Sequence, residues 1–217
     1  NHPKLESNTR VAMANAAALT FISLLLAISH GGAESEIVYD NNGQSVEVGE
    51  RYFILPVLRG SGGGLTSDSM LNSTCSDSVI QDSNELSNGI PVIFLPQNST
   101  GNVIRISTNM KIQFSPVGLL DNLKATCASS TYWKLSARKY ERKQLLVSVG
   151  KDVDARNLFK LERFQSDYVF RFCPFDCVDY CKTTCGNLGI YFDGNVRRLA
   201  LSDTPLRVMF KKVVSSE

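Results

Sequence analysis

Pro91-Val92-Ile93-Phe94-Leu95-Pro96-Gln97-Asn98-Ser99-Thr100-Gly101-Asn102-Val103-Ile104-Arg105-Ile106 sets a polar, turn-rich loop between two apolar, β-branched runs. Val92, Ile93 and Phe94 on one side and Val103, Ile104 and Ile106 on the other are strong strand formers, bounded by Gly89 and by Gly101-Asn102. A loop held at both ends by sheet is where a rigid scaffold presents a binding surface. The same grammar continues from Ile37 onward. Short apolar runs are broken about every ten residues by turn chemistry, as at Asn41-Asn42-Gly43, Ser87-Asn88-Gly89, Asp193-Gly194-Asn195 and Asp203-Thr204-Pro205. The pattern predicts an all-β chain with strands at Arg51–Leu58, Ser78–Gln81, Pro91–Leu95, Val103–Ser107, Lys111–Phe114, Thr131–Leu135, Leu145–Val149, Leu158–Phe164, Tyr168–Phe172, Gly189–Phe192, Arg197–Leu201 and Arg207–Val213. Between the first two, Gly60-Ser61-Gly62-Gly63-Gly64 lacks the Gly-Lys-Ser/Thr ending of a phosphate cradle and reads as a flexible hairpin connection.

Outside those strands, the only long apolar run is Ala16–Ile28, about 13 residues, too short to span a hydrocarbon layer of roughly 30 Å. Met13 before it and the small residues Gly31-Gly32-Ala33 after it give the form of a signal peptide over 13–33. Residues 1–12 then read as upstream read-through, and residues 34–217 as one exported domain, secreted or vacuolar. That domain carries 21 basic and 20 acidic residues, so charge gives no reason to expect a nucleic-acid or membrane partner. The basic run from Lys134 to Lys143 is interrupted by Glu141 and reads as a solvated face. Both histidines, His2 and His30, precede the expected cleavage point. A Ser-His-Asp or Cys-His hydrolase, a histidine-ligated zinc and an imidazole pH switch are thereby excluded together. No catalytic residue, cofactor or metal is expected.

Cys75, Cys127, Cys173, Cys177, Cys181 and Cys185 form an even set in an oxidising compartment, which predicts three disulfides. The x3 spacing of the last four is not the usual C-x2-C of a zinc site. Six cysteines allow 15 connectivities. The last four lie close together in the chain, and Cys75 with Cys127 is the simplest remaining pair. Two sequons, Asn72-Ser73-Thr74 and Asn98-Ser99-Thr100, predict N-glycans on exposed loops.

The run Ile37-Val-Tyr-Asp-Asn-Asn-Gly-Gln-Ser-Val-Glu-Val-Gly-Glu-Arg-Tyr-Phe-Ile-Leu55 resembles the opening of the plant Kunitz-type protease inhibitors, the soybean trypsin inhibitor type, in its miraculin-like branch. Gly62-Gly-Gly-Leu-Thr66, Pro91-Val-Ile-Phe94, Ser107-Thr-Asn-Met-Lys-Ile-Gln-Phe114, Phe159-Lys-Leu-Glu-Arg163, Phe172-Cys-Pro174, Cys185-Gly-Asn-Leu-Gly-Ile190 and Arg197-Arg-Leu-Ala-Leu201 follow in family order. The resemblance implies a β-trefoil of twelve strands in three pseudo-repeats. It also implies disulfides Cys75–Cys127 and Cys173–Cys185 with an added Cys177–Cys181, crossed pairings among the last four staying open. The implied partner is an endopeptidase, most simply a serine protease, bound by a monomer. The implied reactive loop is Leu95, Pro96, Gln97, Asn98, Ser99, Thr100 and Gly101. Its P1 side chain, the one that fills the protease pocket, falls on Ser99 or Thr100. A trypsin-directed loop carries Lys or Arg there, because trypsin's pocket ends in a carboxylate, so weak or absent trypsin inhibition is expected. The family's Asn that braces the loop from behind falls on Val48, whose side chain has no donor. Arg105, the nearest cation, sits in a strand-like alternation. The alternative reading is a non-inhibitory defence, storage or carbohydrate-binding relative.

Overall fold

Six strands close a barrel and three hairpins cap one end of it. In the computed structural model, residues 35–68, 78–97, 101–115, 131–136, 144–151, 155–174 and 185–214 are described. The strands are β1 (Arg51–Pro56), β2 (Leu65–Ser67), β3 (Val79–Gln81), β4 (Val92–Pro96), β5 (Met110–Phe114), β6 (Tyr132–Leu135), β7 (Val147–Gly150), β8 (Lys160–Phe164), β9 (Asp167–Phe172), β10 (Gly186–Asp193), β11 (Val196–Ser202) and β12 (Val208–Lys212), with one short 3-10 turn at Ala155–Asn157. All pairings are antiparallel. Around the barrel run β1–β4, β4–β5, a bridge from Met110 to Phe159 just before β8, β8–β9, β9–β12 and β12–β1. The hairpins β2–β3, β6–β7 and β10–β11 touch one another in turn, through Arg197↔Gln81, Ser78↔Ser148 and Leu146↔Ala200. A six-stranded barrel capped by a triplet of hairpins is the expected β-trefoil.

Alternation within the barrel strands explains the closure. In β5, Met110, Ile112 and Phe114 are buried while Lys111 and Gln113 face outward, the period-two pattern of a half-buried strand. The inward side chains meet in an aromatic core. Phe94 stands edge-on to Phe210 with centroids 5.4 Å apart, Phe210 edge-on to Phe170 at 6.2 Å, and Trp133 edge-on to Phe159 at 6.2 Å. Such tilted pairs add about 0.5–1.5 kcal/mol each beyond the area they bury.

Three sequence expectations change. Val103–Ser107 is extended but forms no continuous ladder, because its backbone bonds alternately to two different limbs of the chain. Leu65–Ser67, not anticipated, is a strand. The glycines before it are a packing device rather than a flexible link: a Cβ on Gly63 would lie 2.2 Å from the Asn84 carbonyl oxygen, and one on Gly64 2.0 Å from that of Asn88. Cys173 and Cys185 are bonded, with Cα atoms 4.6 Å apart, as the resemblance implied. Cys75, Cys127, Cys177, Cys181, the sequon Asn72 and the expected leader 1–33 lie outside the described residues.

Candidate functional site

The loop opening at the uncapped end of the barrel is carried by β4 and β5, which pair over five residues from Val92↔Phe114 to Pro96↔Met110. Val92 and Phe94 are fully buried, so the ascending limb is anchored in the core. One residue beyond the ladder the Gln97 N–H still donates to the Asn109 carbonyl at 3.0 Å. Leu95, Pro96, Gln97 and Gly101 are therefore placed. Asn98, Ser99 and Thr100, the glycosylation site and both P1 candidates, lie outside the described residues.

The returning limb, Asn102–Ile106, is clamped from the N-terminal segment. Val48 N–H donates to the Asn102 carbonyl at 3.0 Å, and Ile104 N–H to that of Val46 at 2.7 Å. Val38 N–H donates to Ile104 at 2.9 Å, and Ile106 N–H to Glu36 at 3.0 Å. The clamping segment is itself a tight hairpin. One Asp40 carboxylate oxygen accepts from the N–H groups of Asn42 and Gln44, both at 2.9 Å, and Gly43 takes the positive φ of 75° that the turn demands. Tyr52, with no exposed surface, supports it from below by accepting the Glu47 N–H at 3.0 Å. Lys212 reaches over to Glu47 at 2.7 Å and Glu50 at 3.4 Å. Burial pushes the Tyr52 phenol above its ordinary value, an effect opposed by the Glu47 hydrogen bond. The hydrogen bond to Glu47 raises the Lys212 ammonium.

Val48 packs its side chain against the core yet ties the loop through its peptide N–H. The brace at this position is thus main chain rather than side chain. Arg105 pairs with Ile37, and its guanidinium donates to the Ser35 carbonyl, which fits a strand position and not a loop tip. The clamp between residues 36–48 and 102–106 escaped the sequence reading. Its one local signal is the alternation Val46-Glu47-Val48 just after a turn.

The described ends of the loop are anchored on a closed β scaffold, with Gln97, Gly101 and Asn102 exposed. Residues 38–212 match the family model described as "Trypsin and protease inhibitor", of the Kunitz legume type. The chain is 41% identical over 208 residues to Kunitz trypsin inhibitor 5 of Arabidopsis thaliana, covering 89% of this chain and 97% of that one. It is 35% identical to miraculin of Synsepalum dulcificum, covering 89% and 94%. Soybean trypsin inhibitor in complex with porcine pancreatic trypsin superposes with a TM-score of 0.66 at 26% identity, covering 82% of this chain and all of that one. The β-trefoil is thus shared, and the chain belongs to the plant Kunitz family of protease inhibitors, proteins that bind proteases rather than catalyse reactions.

Proposed function

We propose that this protein is an exported inhibitor of a serine endopeptidase, acting through the loop Leu95–Gly101, and that it inhibits trypsin weakly or not at all. The observation that carries the reading is the pinning of both limbs, by Gln97 to Asn109 and by Val48 to Asn102. A loop already held in its bound shape loses less conformational freedom on entering a cleft, which is how preorganisation raises affinity. Target choice then rests on Ser99 or Thr100, small uncharged side chains suited to a pocket without a carboxylate. A glycan on Asn98 would crowd the rim of a trypsin-like cleft further.

Titration of the protein against trypsin, chymotrypsin, subtilisin and papain tests the reading. Stoichiometric, nanomolar inhibition of chymotrypsin or subtilisin with weak action on trypsin supports it. Silence against all four favours a storage or binding role, the reading to which a valine at position 48 lends weight. Residues 13–33 are proposed as the signal peptide, so the exported protein should begin at Glu34, as N-terminal sequencing would read.

A further inference from the structure

At the capped end of the barrel an open strand edge lies beside an apolar groove. β10 pairs with β11 from Asn187 to Asp193, but on its other side it pairs with β9 only at Gly186 and Asn187. On that outer side the Leu188 carbonyl accepts from the Leu206 N–H at 2.8 Å. Backbone groups in an antiparallel strand turn to the same side every second residue. The N–H and C=O groups of Ile190 and Phe192 therefore face the way the Leu188 carbonyl does, and among the described residues no strand or bridge pairs with them there.

A groove of about 250 Å³ runs along this edge, walled by Pro56, Leu58, Ile190, Phe192 and Leu206. Leu58 and Phe192 are 60% and 64% exposed. Gln81 also lines it; this side chain is only 3% exposed, yet its amide nitrogen has no hydrogen-bond partner among the described residues. The terminal torsion of glutamine is broad and roughly two-fold, so the amide can turn toward an occupant. The charge beside the groove is positive. Arg207 lines it and is held by Asp167. Arg197 lies across the ladder from Phe192, its guanidinium 5.7 Å from the ring centroid, and donates to the Ser61 carbonyl without a carboxylate partner among the described residues. Arg59 follows Leu58 and is exposed. The exposed Asp203 does not line the groove but an adjoining hollow, with Cys185 and Tyr191, which shares Ile190 and Thr204 with it.

We propose that the Ile190–Phe192 edge and its groove form a second binding site, which takes an extended acidic segment of a partner protein as an added strand. The peptide main chain pairs with Ile190 and Phe192, one large apolar side chain enters between Leu58 and Phe192, and a carboxylate meets Arg197. Main-chain pairing with side-chain pockets alongside is the recurring mode of strand addition. A second copy of this chain would set Arg59 and Arg197 of each molecule against the same cations of the other, which disfavours self-pairing. β1 runs antiparallel to β4, so Pro56 and Gln97 sit at opposite ends of the barrel and this site does not depend on the loop's activity.

The test uses the full exported chain, labelled with nitrogen-15, and a fluorescein-tagged hexapeptide Ser-Val-Phe-Val-Glu-Asp. Saturable binding is expected, with amide exchange at Ile190 and Phe192 slowed at least tenfold. Binding should weaken at least tenfold for a peptide with proline at both valines, for one with lysine at both acids, and for Phe192→Ser and Leu58→Ser proteins whose melting is unchanged. The proposal is overturned if the acidic peptide binds no better than the lysine or proline peptides, or if the two serine variants bind it normally. Protection of both amides that rises with protein concentration in the absence of peptide would assign the edge to self-association and overturn it equally. Should the serine variants melt differently, the exchange rates in the unaltered protein decide alone.

Discussion

The two ends of this barrel solve opposite problems with the same backbone chemistry. At the loop end, chain segments some sixty residues apart are sewn together by peptide hydrogen bonds, so the polar loop rises from a base with few unpaired groups. At the hairpin end, β10 and β11 form a seven-pair ladder, and among the described residues no strand pairs with its outer edge at Ile190 and Phe192, beside exposed Leu58. One end pins both limbs of the loop it carries; the other leaves Ile190 and Phe192 without a strand partner among the described residues. The difference teaches that in a trefoil the rigid surface and the accepting surface are set by how strands are partnered, not by how polar their residues are.

The largest expected effect removes what holds both ends apart. Phe210 is fully buried and packs edge-on against Phe94 and Phe170. Phe210→Ala should cost about 3–5 kcal/mol, a fall in Tm of roughly 6–20 °C for a chain of this size, and should weaken the two ends equally. A calorimetric scan that moves by under about 3 °C would show the ends to be supported independently.

Next in size is the loop tip. Ser99→Arg or Thr100→Arg supplies the ion-pair partner that a trypsin pocket demands, an interaction whose loss typically costs about 2–5 kcal/mol, or roughly 30- to 5000-fold in affinity. Whichever substitution strengthens trypsin inhibition by that factor marks P1. Asn98→Gln separates the glycan's share, and Thr100→Arg destroys the sequon as well, so all three are measured with and without enzymatic deglycosylation. If neither arginine improves trypsin binding after deglycosylation, the reactive site lies elsewhere. A smaller gain is expected from Val48→Asn, whose side chain adds donors behind a loop that this position ties through its peptide N–H at Asn102. One hydrogen bond is worth about 0.5–1.5 kcal/mol, so the inhibition constant for the best target should tighten roughly two- to tenfold. An unchanged constant would mean that the main-chain clamp already suffices.

Much of this comparison could be read from residues alone, and the rest could not for identifiable reasons. Barrel strands such as Met110–Phe114 announced themselves by alternation, and the limbs Val92–Phe94 and Val103–Ile106 by β-branched runs. Leu65–Ser67 did not, because all three residues are buried and leave no period to see, and because three glycines before them imitate a linker. Val103–Ser107 carries the β-branched alternation of a strand and is extended; that Ile104 bonds to both Val38 and Val46 is a long-range fact with no local trace. The equal x3 spacing of the last four cysteines left pairings open that Cys173–Cys185 now restricts. Arg105 was legible as a strand residue, whereas the unmet amide of Gln81 depends on three-dimensional neighbours and had no signature at all.

The smallest effect lies in alkaline solution and acts on the loop end. Tyr52 has its phenol pKa raised above 10.0, first by burial and against the Glu47 hydrogen bond, so the native state holds this proton to higher pH than the unfolded chain does. Stability from this source is fully present below the unfolded value and is lost as pH rises through the folded one, because the unfolded chain ionises first. Lys212, raised above 10.5 by its hydrogen bond to Glu47, changes in the same direction in the same region. Both groups hold Glu47, which pairs with Val103 on the returning limb, so the clamp should loosen before the hairpins do. Tyr52→Phe tests this. At pH 8 the variant lacks the acceptor for the Glu47 N–H and should be less stable by about 1 kcal/mol. Between pH 10 and 11 the wild-type protein loses stability that the variant never had, and the gap between their urea midpoints should close. A gap that stays constant to pH 11 would mean that the phenol titrates at the same pH in both states, and that the loop end is no more sensitive to base than the hairpin end.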